Sequence, residues 1–240
     1  MKTAGRLLAI LLAALMLAAT FGCSLMPTNS GGGGGNSTKA PATAATTAVR
    51  TEEAKEDDLI RIRTLYSDLF DSLTKSETAV VYDDPSIGTK LRASSTLTKE
   101  GETFTYRAKV DRVNPADAER FVTEETLDPV VGTVDEIREN YVGILLWDRV
   151  ATGLVLSTPA FSEETVFAPV IVLEEGKQTL TASIPDGKLE ELFGFVPTGV
   201  SDLMIEVSYT DTAVLSLELT YVFTSESGSA DVTVNIAYTY

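Results

Sequence analysis

The sequence predicts an α+β domain: an antiparallel β-sheet with helices packed on one face. Three observations lead there. Two-residue alternation of apolar and polar side chains runs through 91–110 and again through 203–238. A single stretch, 59–73, instead repeats its apolar residues every three or four, which is helical spacing. No linker interrupts residues 52–240, and 189 residues suit one domain.

The chain does not begin with that domain. Lys2 and Arg6 precede an apolar run from Leu7 to Phe21, which reads as an export signal over 1–22. At about fifteen residues the run is shorter than the roughly 20 needed to span a bilayer core. The only Cys of the chain, Cys23, follows directly. Thr20-Phe21-Gly22-Cys23 resembles the lipobox of bacterial lipoprotein precursors, with Thr20 departing from the commoner Leu. The resemblance implies lipid on the Cys23 sulfur, with palmitate among its acyl chains, and a domain held on the outer face of the cytoplasmic membrane. A free thiol is a liability outside the cell and the chain holds no second Cys to pair with this one, which weighs against an ordinary secretory signal.

From Cys23 to Thr51 the composition turns to Gly, Ser, Thr, Ala and Pro, including Gly31–Gly35. Such a stretch cannot form a core and behaves as a coil, with an end-to-end distance of roughly 30 Å.

Within the domain, Leu59, Ile62, Leu65, Tyr66, Leu69, Phe70 and Leu73 line one side of the predicted helix. Glu52, Glu53, Glu56, Asp57 and Asp58 crowd its N-terminal end, where the helix dipole favours negative charge. VVYDDPSIGTK reads as a turn-rich passage. Two strands then follow around KEGE (99–102), with Leu91 and Ala93 on the first and Phe104, Tyr106, Ala108 and Val110 on the second. ERFVTEETLD (119–128) is a further strand between Pro115 and Pro129. Thr133 and Glu136 match a capping box, and Ile137, Tyr141, Ile144 and Leu145 continue as a helix over 134–147, with a buried strand, YVGILLW, as the competing reading.

VFAPVIVLE is strongly β-prone, with Pro169 suited to an edge or a bulge. Leu180, Ala182 and Ile184 form a short strand ahead of a compact helix, GKLEELFGF. The C-terminus is a three-strand meander: Leu203 to Tyr209, Val214 to Phe223, and Val232 to Tyr238.

A helix laid over a curved antiparallel sheet that ends in SDLMIEVSYT and SADVTVNIAYTY resembles the LolA and LppX-type lipoprotein carriers and related tethered lipoproteins of Gram-positive bacteria. That resemblance, over about 55–240, implies a curved sheet shaped as a half-open barrel, with an apolar surface between sheet and helices that binds acyl chains.

Composition narrows function by exclusion. The chain carries 19 Lys and Arg against 35 Asp and Glu, for a charge of −16, with no His and one Cys. All the acidic residues lie in 52–240, where 15 Lys and Arg leave the domain at −20. His-based triads, Cys–His dyads and Cys-rich zinc sites are excluded, and nucleic acid is not the expected partner. No cofactor is expected.

The leading reading is a non-enzymatic, membrane-anchored binding domain. Its apolar cleft would be lined by Leu59, Ile62, Tyr66, Phe70, Tyr141 and Trp147 and would take lipid or another apolar ligand. The alternative is a structural or protein-interaction domain with a filled core, meeting its partner through a sheet edge or a Thr-rich face. A carboxylate-based hydrolase comes after both; its candidates, Glu124 with Glu125, Glu163 with Glu164 and Glu190 with Glu191, are adjacent pairs in polar surroundings. Calcium could draw on Asp83, Asp84 and Ser86, or on Glu226, Ser227 and Asp231, but neither set matches a calcium loop.

Overall fold

The computed structural model describes residues 49–84, 89–114, 117–140, 158–194, 198–226 and 228–240. Within them the fold is α+β: one large antiparallel sheet that does not close, with a few helices packed to one side. The strands are β1 (Arg50–Glu53), β2 (Lys75–Asp84), β3 (Thr89–Glu100), β4 (Thr103–Asn114), β5 (Asp117–Thr126), β6 (Val130–Gly132), β7 (Phe167–Glu174), β8 (Lys177–Ile184), β9 (Val200–Tyr209), β10 (Val214–Ser225) and β11 (Gly228–Thr239). Their order across the sheet is β1-β7-β8-β9-β10-β11-β2-β3-β4-β5, with β6 also on β4. Strands β5 and β6 lie end to end along β4: Thr126 pairs with Lys109, the Leu127 N–H donates to Ala108 O at 3.0 Å, and Val130 pairs with Tyr106.

Helix α1 (Glu56–Ser67) is followed by the single turn α2 (Leu69–Ser72). The stripe expected over 59–73 is therefore one face of two helical pieces broken at Asp68. There Ser67 Oγ bonds back to Thr64 O at 2.7 Å and the Asp68 N–H closes the last turn on the Thr64 carbonyl. Asp58 accepts from the Lys55 N–H at 2.9 Å at the start of α1. Glu52 and Glu53, expected to crowd that start, belong instead to β1, where they pair with Ile171 and Val170.

Helix α3 (Val134–Asn140) carries the capping box in full: Glu136 N–H donates to Thr133 Oγ1 at 3.2 Å and Thr133 N–H to Glu136 Oε2 at 2.8 Å. Tyr141 and Trp147, and with them the rest of the 134–147 reading, lie outside the described residues. A 3₁₀ turn (Asp186–Lys188) leads into α4 (Leu189–Phe193), which ends on Gly194 at φ 76°.

The passage VVYDDPSIGTK is corrected at its start. Val80 to Asp84 form the second half of β2, hydrogen-bonded between β11 and β3. The inward side chains of β2 begin Ser76, Thr78, Val80, so its buried face is largely small and polar, and period-two hydrophobicity does not reveal it. Pro169 does sit at a bulge: the register slips between Phe167 and Val170, and Ala168 takes φ 49°. The three C-terminal strands pair in sequence as expected.

One face of the sheet is the core side. A continuous row crosses it from Leu180 through Val207, Leu217, Ile236 and Thr78, and the helices and Phe161 cover that side. The opposite side chains, among them Glu206, Glu218, Thr220, Asn235, Ala237, Arg107 and Lys109, are exposed.

Candidate functional site

Beneath α1, Leu59, Ile62 and Tyr66 have no solvent-exposed surface, and Phe70 is partly buried against the same core. The contacts are those of packing. Tyr66 lies 5.9 Å from Phe161 and edge-on to Tyr238 at 6.4 Å, while Phe70 meets Phe104 edge-on at 6.2 Å. Among the described residues the Ser76 hydroxyl is buried without a hydrogen-bond partner, the Tyr66 and Tyr238 hydroxyls are buried beside one another, and burial pushes both tyrosines well above the usual phenol range. The four described residues of the expected cleft thus serve as core contacts.

The outer face holds the chemistry that sequence reading did not single out. Asp111 points outward from β4, yet its side chain is only 3% exposed. Arg92 donates to its Oδ2 from two nitrogens, at 2.9 and 3.3 Å, Thr123 Oγ1 donates to Oδ1 at 2.8 Å, and Lys109 Nζ lies 3.4 Å away. The Arg92 guanidinium is in turn stacked 4.4 Å from the Phe121 ring. Burial works to raise the Asp111 carboxyl, but the hydrogen bonds from Arg92, Thr123 and Lys109 outweigh it and hold it below the usual carboxylate range. This cluster ties β3, β4 and β5 together.

Across the same face, Glu206 on β9 stands opposite Glu218 on β10. Partial burial and then the Glu218 charge raise the Glu206 carboxyl, with Lys177 pulling the other way. The alternation of the meander already put both glutamates on its polar face; only the register across the 210–213 turn was needed to pair them.

A groove of about 310 Å³ lies between the β7–β8 and β9–β10 turns, lined by Glu174, Lys177, Gln178, Thr210, Asp211 and Thr212. Arg61 from α1 pairs with Asp211 beside it.

Of the acidic pairs expected from sequence, Glu163, Glu164, Glu190 and Glu191 are all exposed, and Glu164 and Glu191 both act on the Lys188 ammonium. The Glu163 N–H donates to Glu56 at 2.8 Å, and Glu191 is bonded to Lys188 at 2.6 Å. The Glu124 side chain lies outside what is described. Asp83 is paired with Lys90 at 3.0 Å, Ser86 and Ser227 are not described, and among the described residues no three His, Cys, Asp or Glu side chains gather for a metal. Cys23 lies outside the described residues, and among those described no helix is long and apolar enough to cross a membrane.

No protein-family model and no curated protein sequence matches the chain. Among solved structures, an N-terminal dehydratase from the difficidin assembly line matches at 7% identity over 81% of this chain and 95% of that one, with a TM-score of 0.21. The dehydratase domain of the CurJ module of curacin polyketide synthase matches at 8% identity over 82% and 93%, with a TM-score of 0.17. A dehydratase structure concerned with substrate selection in the borrelidin and fluvirucin synthases matches at 11% identity over 80% and 87%, with a TM-score of 0.18.

These findings correct the sequence reading. The matched structures are dehydratase domains, not carriers of the LolA and LppX type, and the LolA-like description of the domain gives way with that resemblance. The expected lipid-binding cleft is corrected by the packed side chains beneath α1, and the matched structures, named as dehydratases, lend no support to a domain without enzymatic activity. At these TM-scores the likeness carries no reaction and no residue across to this chain.

Proposed function

We propose that the chain is an exported interaction domain, tethered outside the cytoplasm through lipid on Cys23, that presents the outer face of its sheet to another protein. The observation that carries this reading is the division of the sheet. One face is consumed by core packing around Leu59, Ile62 and Tyr66, and the other leaves Glu206, Glu218, Asn235, Arg107 and Lys109 in water. The tether rests on the apolar run, Cys23 and the coil behind it. A domain at −20 stays clear of anionic headgroups at the end of such a coil.

The test has two parts. Fatty-acid labelling of cells making the full chain should tag it and should fail on Cys23→Ala. Photo-crosslinkers placed at Asn235 and Thr220 should capture a protein in intact cells, whereas crosslinkers at both positions that capture nothing would refute the interaction role.

A further inference from the structure

We infer that the outer face takes its partner in a trough along β8, and that the segment it takes is an extended one carrying Lys or Arg at alternate positions; this rests on the interaction reading above. The register builds the trough. Ser183, Thr181 and Thr179, the outward residues of β8, are short and form its floor. Phe167, Val170 and Val172 on β7 stand opposite them as one wall, and Met204 and Glu206 on β9 as the other. Ser208 ends that second wall, its hydroxyl 3.2 Å from that of Thr179. Walls two strand spacings of about 4.8 Å apart lie roughly 10 Å from each other, room for a single row of side chains.

Phe167 is the feature that core packing does not explain. Its ring is 60% exposed, while Phe104, Phe161, Phe193 and Phe223 are all buried. The β7 bulge that sets it there holds Ala168 at φ 49°, a left-handed conformation that only glycine adopts without cost. Across the trough β9 bulges too: its register with β10 slips between Met204 and Ser201, and Asp202 takes φ 54°. Two strained bulges thus flank the end of β8, and strain of this kind gathers where ligands and partners bind.

The rim is acidic. Glu53 on β1 pairs with Val170, Asp202 and Glu206 are exposed on β9, and Glu218 stands beside Glu206 on β10. The outward cation of these strands is Lys177, at the far end of β8 opposite Glu174. Apolar walls that end in carboxylates fit one kind of side chain, an apolar stem with a cationic head. A Lys or Arg stem lies along Phe167, Val170 and Met204, with its charge over the Phe167 ring or on Glu206 and Asp202. A cation there also offsets the repulsion that Glu206 meets from Glu218, which Lys177 relieves only in part. Spacing sets the pattern: the floor residues of β8 recur every second position, about 6.8 Å, as do the side chains on one side of an extended segment laid along it.

The experiment uses the full chain in detergent and two labelled peptides of the same composition, one in which Lys and Ser alternate and one with its Lys residues in a single block. The alternating peptide should bind more tightly than the block. Phe167→Ala should weaken its binding about tenfold, Phe167→Trp should hold or tighten it, and Glu206→Lys should abolish the preference. A folding defect would not separate Trp from Ala at an exposed position. Equal binding of the two peptides, or binding that Phe167→Ala leaves unchanged, would overturn the inference, because a domain at −20 attracts any cation. In cells, a photo-crosslinker at Ser183 should form its adduct on a segment with Lys or Arg at alternate positions. An adduct on a segment lacking them overturns the inference, as does capture at Asn235 or Thr220 with none at Ser183, which spares the interaction reading. No adduct at any of the three positions overturns both.

Discussion

Glu206 and Glu218 face each other across the β9–β10 ladder, two carboxylates in direct register on an exposed sheet face. Like charges placed so oppose folding by a few tenths to about 1 kcal/mol. Glu206→Gln should therefore stabilise the domain by that order in urea unfolding at neutral pH. Because the folded-state pKa of Glu206 is raised, the native chain holds its proton longer than the unfolded chain does. Stability should fall as pH rises from the unfolded to the folded pKa of this group, and the slope difference between the two proteins should vanish below that window.

Asp111 has the opposite sign. Its folded-state pKa is lowered, so the stability it contributes is present above the unfolded carboxylate pKa and is lost as pH falls through the folded one. Asp111→Ala leaves Arg92, Lys109 and Thr123 without their acceptor and should cost about 1–3 kcal/mol at neutral pH. The Thr123→Val change, which removes one of several donors, should cost less. Acid titration of unfolding for all three proteins separates these terms.

Tyr66 offers a contrast between ring and hydroxyl. Its ring packs on Phe161 and Tyr238, while its hydroxyl is buried beside that of Tyr238 with no full hydrogen bond to a described residue. Tyr66→Phe should be neutral or stabilising, because it removes a buried polar group that lacks a full hydrogen bond. Tyr66→Ala should cost about 3–5 kcal/mol, the usual penalty for emptying an aromatic site. Equal losses from both changes would show that the hydroxyl has a partner in solution.

Gly199 and Gly101 separate clash from conformation. Both have positive φ, +80° and +63°, but a Cβ at Gly199 would sit 2.4 Å from the Thr224 carbonyl oxygen, whereas at Gly101 nothing lies within 4 Å. Gly101→Ala should cost about 1 kcal/mol, the left-handed penalty alone. Gly199→Ala should cost clearly more and should loosen the β9–β10 pairing, which hydrogen exchange at the Thr224 N–H would reveal through its bond to Gly199 O.

Much of the architecture was legible because local pattern and tertiary need agree in it. The stripe from Leu59 to Leu73, the Thr133–Glu136 cap and the C-terminal alternation each announce an element whose apolar side must be covered. Strand β2 was hidden because its inward Ser76 and Thr78 break that agreement. The Asp111 cluster was hidden for a different reason: Arg92, Asp111 and Thr123 come from three strands, and only the register of β3, β4 and β5 brings them together. The interior of the domain was misread as a cleft because the same aromatic residues serve a groove or a packed core, and periodicity cannot tell the two apart.

The place of β11 bears on how the molecule is made. The last strand of the chain is hydrogen-bonded to β10 on one side and to β2 on the other, so it lies well inside the sheet. The two lobes it joins, β7–β10 with β1 and β2–β6, cannot become one sheet until residues 228–239 arrive. Assembly must wait for residues 228–239, and such non-local pairing is slow. A chain stopped before Gly228 would leave β10 and β2 as two bare edges, each a template for aggregation. This makes residues 228–239 the segment that turns two separate lobes into one sheet.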